Sequence, residues 1–397
     1  MALFGGKRAS MKRWVASKAA LISQIPRPTD FPQVHSDGPD ADRVLVFGTG
    51  IAAGWGATSH ADALPGRLAR SISDLTTRGT DVDVLSYAEL ALADARNELF
   101  GAKLWRFDII VVSLGDTDAL RLTEPELWRQ NLTVFLEELT RAAGEHTRIE
   151  LLGIAPVGSI AVYSGSNAAL ADAHARLLDA VSAEIVAAFP RVNFLDLSAD
   201  HTDYQALSEE LADASLDDLN AARVQARDRP RGPAGQNALE REEERIAAVQ
   251  SMRILDTAHD PRFDHIVTMA RQLYGTSGAA FAVVDRERVW HKSATEGVPS
   301  EVPKDASFCS TTILLRGPHI VPDMLLENAP SDTSAADAVG VRFYAGYPVE
   351  SPSGEQIGAL CVFDEKPREL KDVDETMLRQ LALLIQAELQ VDALERR

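Results

Sequence analysis

"RVLVFGTGIAAGWGATSHADALPG" (residues 43–66) begins as a β-branched apolar run and breaks into a glycine-rich turn before a helix opened by Leu-Pro. The same alternation continues downstream. Strands are expected at 43–48, 82–87, 108–115, 148–156 and 192–197, with helical stretches between them such as "EPELWRQNLTVFLEELTRAAG". Near-continuous apolar strands suit a sheet covered on both faces, and strand–helix alternation predicts parallel pairing. A three-layer α/β domain with a parallel sheet is therefore expected over 41–226.

The chain has 397 residues, enough for two or three domains at about 100–200 residues each. "RDRPRGPAGQN" (227–237) is rich in Pro, Gly and Arg and marks a linker over 227–238. Beyond it, 239–397 reads helix, strand, strand, irregular middle, strand, strand, helix. "GAAFAVVDRERVWHKSA" (278–294) predicts a hairpin turning near Asp285 to Arg288, and "SPSG" joins two further strands within 342–364. The last helix carries Leu378, Leu381, Leu384, Ile385 and Leu389 on one stripe.

The formal net charge is −19, from 59 acidic and 40 basic residues. A field of that sign repels phosphate backbones and anionic lipid, so neither nucleic-acid binding nor stable membrane insertion is expected. The basic segment 1–28 has Lys18 inside its only apolar stretch, which is no signal-peptide core; residues 1–40 are expected as a partly disordered leader. Two cysteines, Cys309 and Cys361, sit in apolar contexts and read as buried thiols of a cytoplasmic protein. No metal-ligand spacing and no cofactor motif stands out.

The block "GTGIAAGWGATSHADALPGRLAR", together with "VVSLGDTDAL" and "LADASLDDLNAARVQA", resembles the SGNH (GDSL-type) hydrolases over about 43–226. Carried over residue by residue, the resemblance implies a frame emptied of its chemistry. The nucleophilic serine position falls on Gly50, the second-block oxyanion glycine on Leu90, and the third-block asparagine on Thr117. With Asp213 as the family aspartate, the histidine base falls on Leu216. Gly48, Gly115 and Asp118 would persist as remnants of the frame. Acyl transfer needs a nucleophile, a base and oxyanion donors acting together. His60 and His201 lie nearby in sequence and read as loop histidines rather than substitute bases.

The second half resembles the bacterial GAF domains through "SFCSTTIL" (307–314), "VPD" (321–323), "RFYAGYPV" (342–349) and "IGALCVFDEKPREL" (357–370). The resemblance implies an α+β domain: an antiparallel sheet with helices on one face and a ligand cavity on the other, commonly dimerised through terminal helices. Phe308, Cys309, Asp323, Arg342, Tyr344 and Tyr347 would line or close that cavity. Arg342 could instead pair with Asp323 and seal the fold, and the "RFYAGYP" aromatics could simply pack.

The expectation is a non-catalytic sensory protein: a pseudo-hydrolase domain coupled to a GAF domain that binds an unidentified small molecule. A homodimer and a protein partner are expected as the output route. The alternative is a GAF-regulated SGNH-type esterase acting on an acyl ester with a non-standard nucleophile.

Overall fold

The computed structural model describes residues 2–38, 41–99, 103–160, 162–197, 203–226, 238–315, 317–325 and 340–395. Residues 227–237 of the expected linker, and His201, lie outside them. The chain divides into two compact units, Met1–Gly235 and Gln236–Arg397.

The first unit runs α1 (Ala2–Ile22), β1 (Gln33–Ser36), β2 (Asp42–Gly48), α2 (Leu64–Thr76), β3 (Thr80–Ser86), α3 (Leu92–Leu99), β4 (Ile109–Ser113), α4 (Asp116–Arg121), α5 (Pro125–Ala142), β5 (Arg148–Leu152), α6 (Ser166–Val186), β6 (Val192–Leu195) and α7 (Tyr204–Ala226). Its sheet has the order β1-β3-β2-β4-β5-β6. The last five strands are parallel, in a doubly wound order that reverses direction at β2 and β4.

Two expectations change here. The sheet is mixed, because β1 pairs antiparallel with β3, Gln33 opposite Asp83 and Ser36 opposite Thr80. The segment 1–40, expected as a partly disordered leader, supplies that edge strand and a helix. Met11 of α1 is 1% exposed and packs with Leu122, Val157, Tyr163 and Ala171, beyond the carboxyl ends of the strands. One buried methionine among lysines, arginines and small residues gives a weak amphipathic signal, so the helix was not visible as a packing element.

Period-two alternation divides the core. Leu45, Phe47, Ile110 and Val112 meet α3, α5 and α6 on one face, through Leu92, Phe135 and Leu178 among others. Val44, Val46, Ile109 and Val111 meet α2 and α7 on the other, through Leu68, Ile72 and Leu211. Each fully buried side chain of this size contributes about 1.5–3 kcal/mol, which is why β2 and β4 read as unbroken apolar runs.

The second unit runs α8 (Ala238–Met252), α9 (Pro261–Tyr274), β7 (Gly278–Val284), β8 (Arg288–Ala294), β9 (Glu301–Pro303), α10 (Phe308–Thr312), β10 (His319–Val321), β11 (Phe343–Glu350), β12 (Gln356–Asp364) and α11 (Glu375–Glu395). Its six strands are antiparallel in the order β10-β11-β12-β7-β8-β9. The start of α9 is set chemically: Asp260 accepts the Arg262 N–H at 3.0 Å, and Pro261 spends no needed donor in the first turn. Gly275, at φ +56°, ends it. Helices α8, α9 and α11 cover one face, where Val249, Phe263, Leu378, Leu381, Ile385 and Leu389 pack on Phe281, Phe343 and Leu360. The stripe of α11 is thus spent on its own sheet, and Leu384 stands off it at 46% exposed.

Candidate functional site

Two places gather chemistry, one in each unit. In the first, it is the crevice where the sheet order reverses. β2 ends at Gly48, whose φ of +131° and closeness to the Ser113 carbonyl leave no room for a side chain. Thr49 follows, buried, with its hydroxyl donating to Asp116 at the start of α4. Gly50 comes next at φ +56°, and a Cβ there would stand 3.4 Å from Asp116 Oδ2.

The positions carried over from the hydrolase resemblance separate into two groups. Gly48 at the end of β2, Gly50, Leu90 and Gly115 in the following turns, and Thr117 and Asp118 in the first turn of α4 lie at or beside this crevice. The Leu90 N–H donates to Thr117 Oγ1 at 3.3 Å, and the Leu92 N–H donates to Asp118 Oδ2 at 2.9 Å. These groups tie the loop after β3 to α4. Asp213 and Leu216 lie well inside α7, Asp213 exposed and Leu216 half-buried, and neither lines the crevice cavities; Tyr204 at the start of α7 does. His60 Nδ1 pairs with Asp30 at 2.8 Å.

Sequence reasoning missed the residues that do line the crevice. Trp55 and Asp116 border both of its cavities, of about 550 and 300 Å³. Asp116 occupies the variable position of the third motif block, between two residues that were considered, and a residue directly after a strand-ending glycine was the available signal. Burial, against hydrogen bonds from Thr49 and Thr117, raises its carboxyl above the ordinary range. Burial likewise raises Asp118 and Glu150, and pushes Asp179 up to about 7 although it accepts the Ile154 N–H at 3.0 Å.

In the second unit, the sheet face opposite the helices carries Cys309, Tyr344 and Cys361, with Phe308 packed against them. Phe308, His319 and Tyr344 form an aromatic cluster with ring centroids 5.3–6.0 Å apart. Thr312 Oγ1 lies 2.7 Å from the Tyr344 hydroxyl and 3.1 Å from His319 Nδ1. The two thiol sulfurs are 3.8 Å apart and the Tyr344 hydroxyl donates to Cys309 Sγ at 3.5 Å. Thr312 and His319 were not anticipated; Thr312 lies four residues after Phe308 on α10, a spacing that returns to the same helix face.

Tyr347 is elsewhere. It packs with Phe343, Ala345 and Val349 under the helices, on the face opposite Tyr344. Residues three apart on one strand point to opposite faces, so the two tyrosines cannot share a cavity. Arg342 is paired: its Nε donates to Asp323 Oδ1 at 2.7 Å, and its Nη2 to Oδ2. That two-pronged contact holds Asp323 below the usual carboxylate range. Cationic partners do the same for Glu242, drawn down to about 2 by Arg245 and Lys304, and for Asp260, drawn down by Arg262.

Residues 259–389 match the GAF domain family. A cyclic di-GMP phosphodiesterase of Pseudomonas aeruginosa is 31% identical over 150 residues, 37% of this chain and 26% of that protein. The chain thus spans about a quarter of the length of that curated relative. Among solved structures, the free methionine-R-sulfoxide reductase of Neisseria meningitidis aligns at 16% identity and a TM-score of 0.30, over 41% of this chain and 95% of its own. The PixJ GAF domain of Thermosynechococcus elongatus aligns at 13% identity and a TM-score of 0.28, over 37% and 88%. Among the described residues no helix is long and apolar enough to cross a membrane, and no group of three metal-ligating side chains forms. With its family match and its six-stranded antiparallel sheet, the segment 259–389 is a GAF domain.

Proposed function

We propose that this chain is a non-catalytic sensory protein, in which the GAF domain binds a small molecule and the first unit is a pseudo-hydrolase. The observation that carries the sensory part is the Phe308–His319–Tyr344 cluster with Thr312 between its polar groups, on the sheet face opposite α8, α9 and α11. An aromatic wall with a few placed hydrogen-bonding groups is the usual make-up of a small-ligand site. Arg342 and Asp323 seal its border rather than reach for an anion, since each already satisfies the other. A homodimer through the terminal helices belongs to the same proposal, with Leu384 and Val391 exposed on α11 at 46% and 45%.

The pseudo-hydrolase part is supported by what occupies the hydrolase positions. Gly50 has no nucleophile, and the Leu90 N–H is already committed to Thr117. Because its relative acts on cyclic di-GMP, that dinucleotide and the cyclic mononucleotides are the first ligands to test. Hydrogen exchange on the full chain, with each at about 1 mM, should slow amides in 308–321 and 343–345 for the true ligand. A ligand that binds yet leaves those amides unprotected, or that binds a Tyr344→Ala variant equally well, sinks the assignment of this face.

The esterase alternative has one observation in its favour, the Thr49 hydroxyl hydrogen-bonded to the Asp116 carboxylate at the cavity wall. Thr49 is only 1% exposed, which keeps it from a substrate carbonyl. No turnover of p-nitrophenyl acetate is expected; turnover abolished by Thr49→Ala would replace the pseudo-hydrolase reading with that one.

A further inference from the structure

The crevice of the first unit has two compartments of different chemistry. The larger, about 550 Å³, is bordered by Arg8, Lys12, Arg27 and Arg121 against two carboxylates, Glu89 and Asp116. The smaller, about 300 Å³, is walled mainly by apolar groups, among them Ile51, Pro156, Ile160 and Val162. Trp55 and Asp116 line both, so the compartments adjoin at those two residues.

Four cationic side chains face two carboxylates around the larger compartment, so donors and positive charge are in excess there. Lys12 makes no hydrogen bond or ion pair among the described residues and is exposed. The Arg27 guanidinium carbon stands 4.9 Å from the centroid of the Trp55 ring, a stacking that holds its fork of donors in place. Trp55 Nε1 is buried without a hydrogen-bond partner among the described residues, so Trp55 acts here through its ring face, stacked on Arg27. The Tyr163 hydroxyl is held as a donor: burial, then the charges of Asp116 and Glu89, push it up to about 12. Arg8 is partly used, donating to the Leu122 carbonyl at 2.9 and 3.1 Å and lying 3.3 Å from Glu124. Four cations converge here in a chain whose net charge is −19, so the attraction is local and must overcome a repulsive field.

We propose that this crevice binds an organic anion, with a carboxylate or phosphate-monoester head between Lys12 and Arg27, and an apolar ring or chain in the smaller compartment. The site is independent of the GAF reading, since every residue in it belongs to the first unit. A free inorganic anion would meet the cations but leave the apolar compartment unfilled. A neutral aromatic would fill that compartment and leave the donors unpaired.

The test is titration calorimetry on the full chain with phenyl phosphate, benzoate, inorganic phosphate and benzyl alcohol. Phenyl phosphate or benzoate should bind, and whichever is tighter identifies the head group. Inorganic phosphate and benzyl alcohol should each bind at least about tenfold more weakly. The double variant Lys12→Gln, Arg27→Gln should weaken the organic anion by about tenfold or more, whereas Phe308→Ala in the GAF domain should leave it unchanged. Lys12→Arg, which keeps the charge on the same helix face, should retain binding. No heat with either organic anion up to about 10 mM overturns the proposal. So does binding indifferent to the double variant, or binding lost with Phe308→Ala.

Discussion

The two units build their candidate sites from different materials. In the first, the site lies at the carboxyl ends of parallel strands, and backbone turns make it: Gly48, Thr49, Gly50 and the Gly115–Asp116 corner. In the GAF domain it lies on a sheet face, and alternation of side chains makes it. The carboxylates differ in the same way. The first unit buries Asp116, Asp118, Glu150 and Asp179 in surroundings that raise their protonation range, while the second pairs Glu242, Asp260 and Asp323 with arginines that lower it. One unit therefore depends on backbone freedom and on protons, the other on parity and on cations.

The hardest blow to this contrast would come from Gly48. Alanine there would place Cβ 1.8 Å from the Ser113 carbonyl oxygen at a φ of +131°. Gly48→Ala should cost on the order of 4 kcal/mol or more and remove the first unit's transition in chemical denaturation, leaving the GAF transition in place. A mild effect would mean that the backbone does not dictate that site. Next in size is Tyr347→Ala, which empties the helix-facing core and should destabilise the GAF transition by about 3 kcal/mol. Should it leave stability intact and alter ligand binding instead, the assignment of faces is wrong.

Asp179 probes the electrostatic half. Its proton is held more tightly folded than unfolded, so its contribution is full below the unfolded value of 3.8 and is lost as pH rises towards about 7. A shift of that size corresponds to about 4 kcal/mol, and the amide's own burial takes back part of it. Asp179→Asn should therefore stabilise the first unit by about 2 kcal/mol at pH 8, and by much less at pH 4. Glu242 has the opposite sign: its support is present above 4.5 and fades as pH falls towards about 2. Thermal melts from pH 8 to pH 3 should thus show the two transitions moving in opposite directions. The smallest effect is Tyr344→Phe, which deletes one hydroxyl shared with Thr312 and should cost about 1 kcal/mol while weakening any ligand held at that face.

Much of the fold was legible because buried parallel strands and the β11–β12 hairpin leave plain marks: apolar runs such as "IIVVS" and the turn "SPSG" between alternating residues. The sites were less so. Tyr347 was grouped with Tyr344 by motif, although their spacing of three already puts them on opposite faces. Asp213 and Leu216 were reached by an ungapped motif alignment, and a helix position is insensitive to such a shift until packing fixes which face is covered. Asp116 and Trp55 lie inside the quoted blocks but at positions to which the motif gives no role. Their importance comes from α1, whose Arg8 and Lys12 approach them across a long stretch of sequence, and no local pattern announces that closure.

The edge strand β1 has a consequence for handling the protein. Four residues, Gln33 to Ser36, occupy the hydrogen-bonding edge of β3. Proteolytic clipping that releases this stretch would bare Thr80 to Asp83 of β3 and offer a template to the corresponding strand of another molecule. Preparations trimmed past Ser36 should therefore drift towards aggregates even where α1 is not needed for folding, and a protease inhibitor at lysis is a structural precaution as much as a biochemical one.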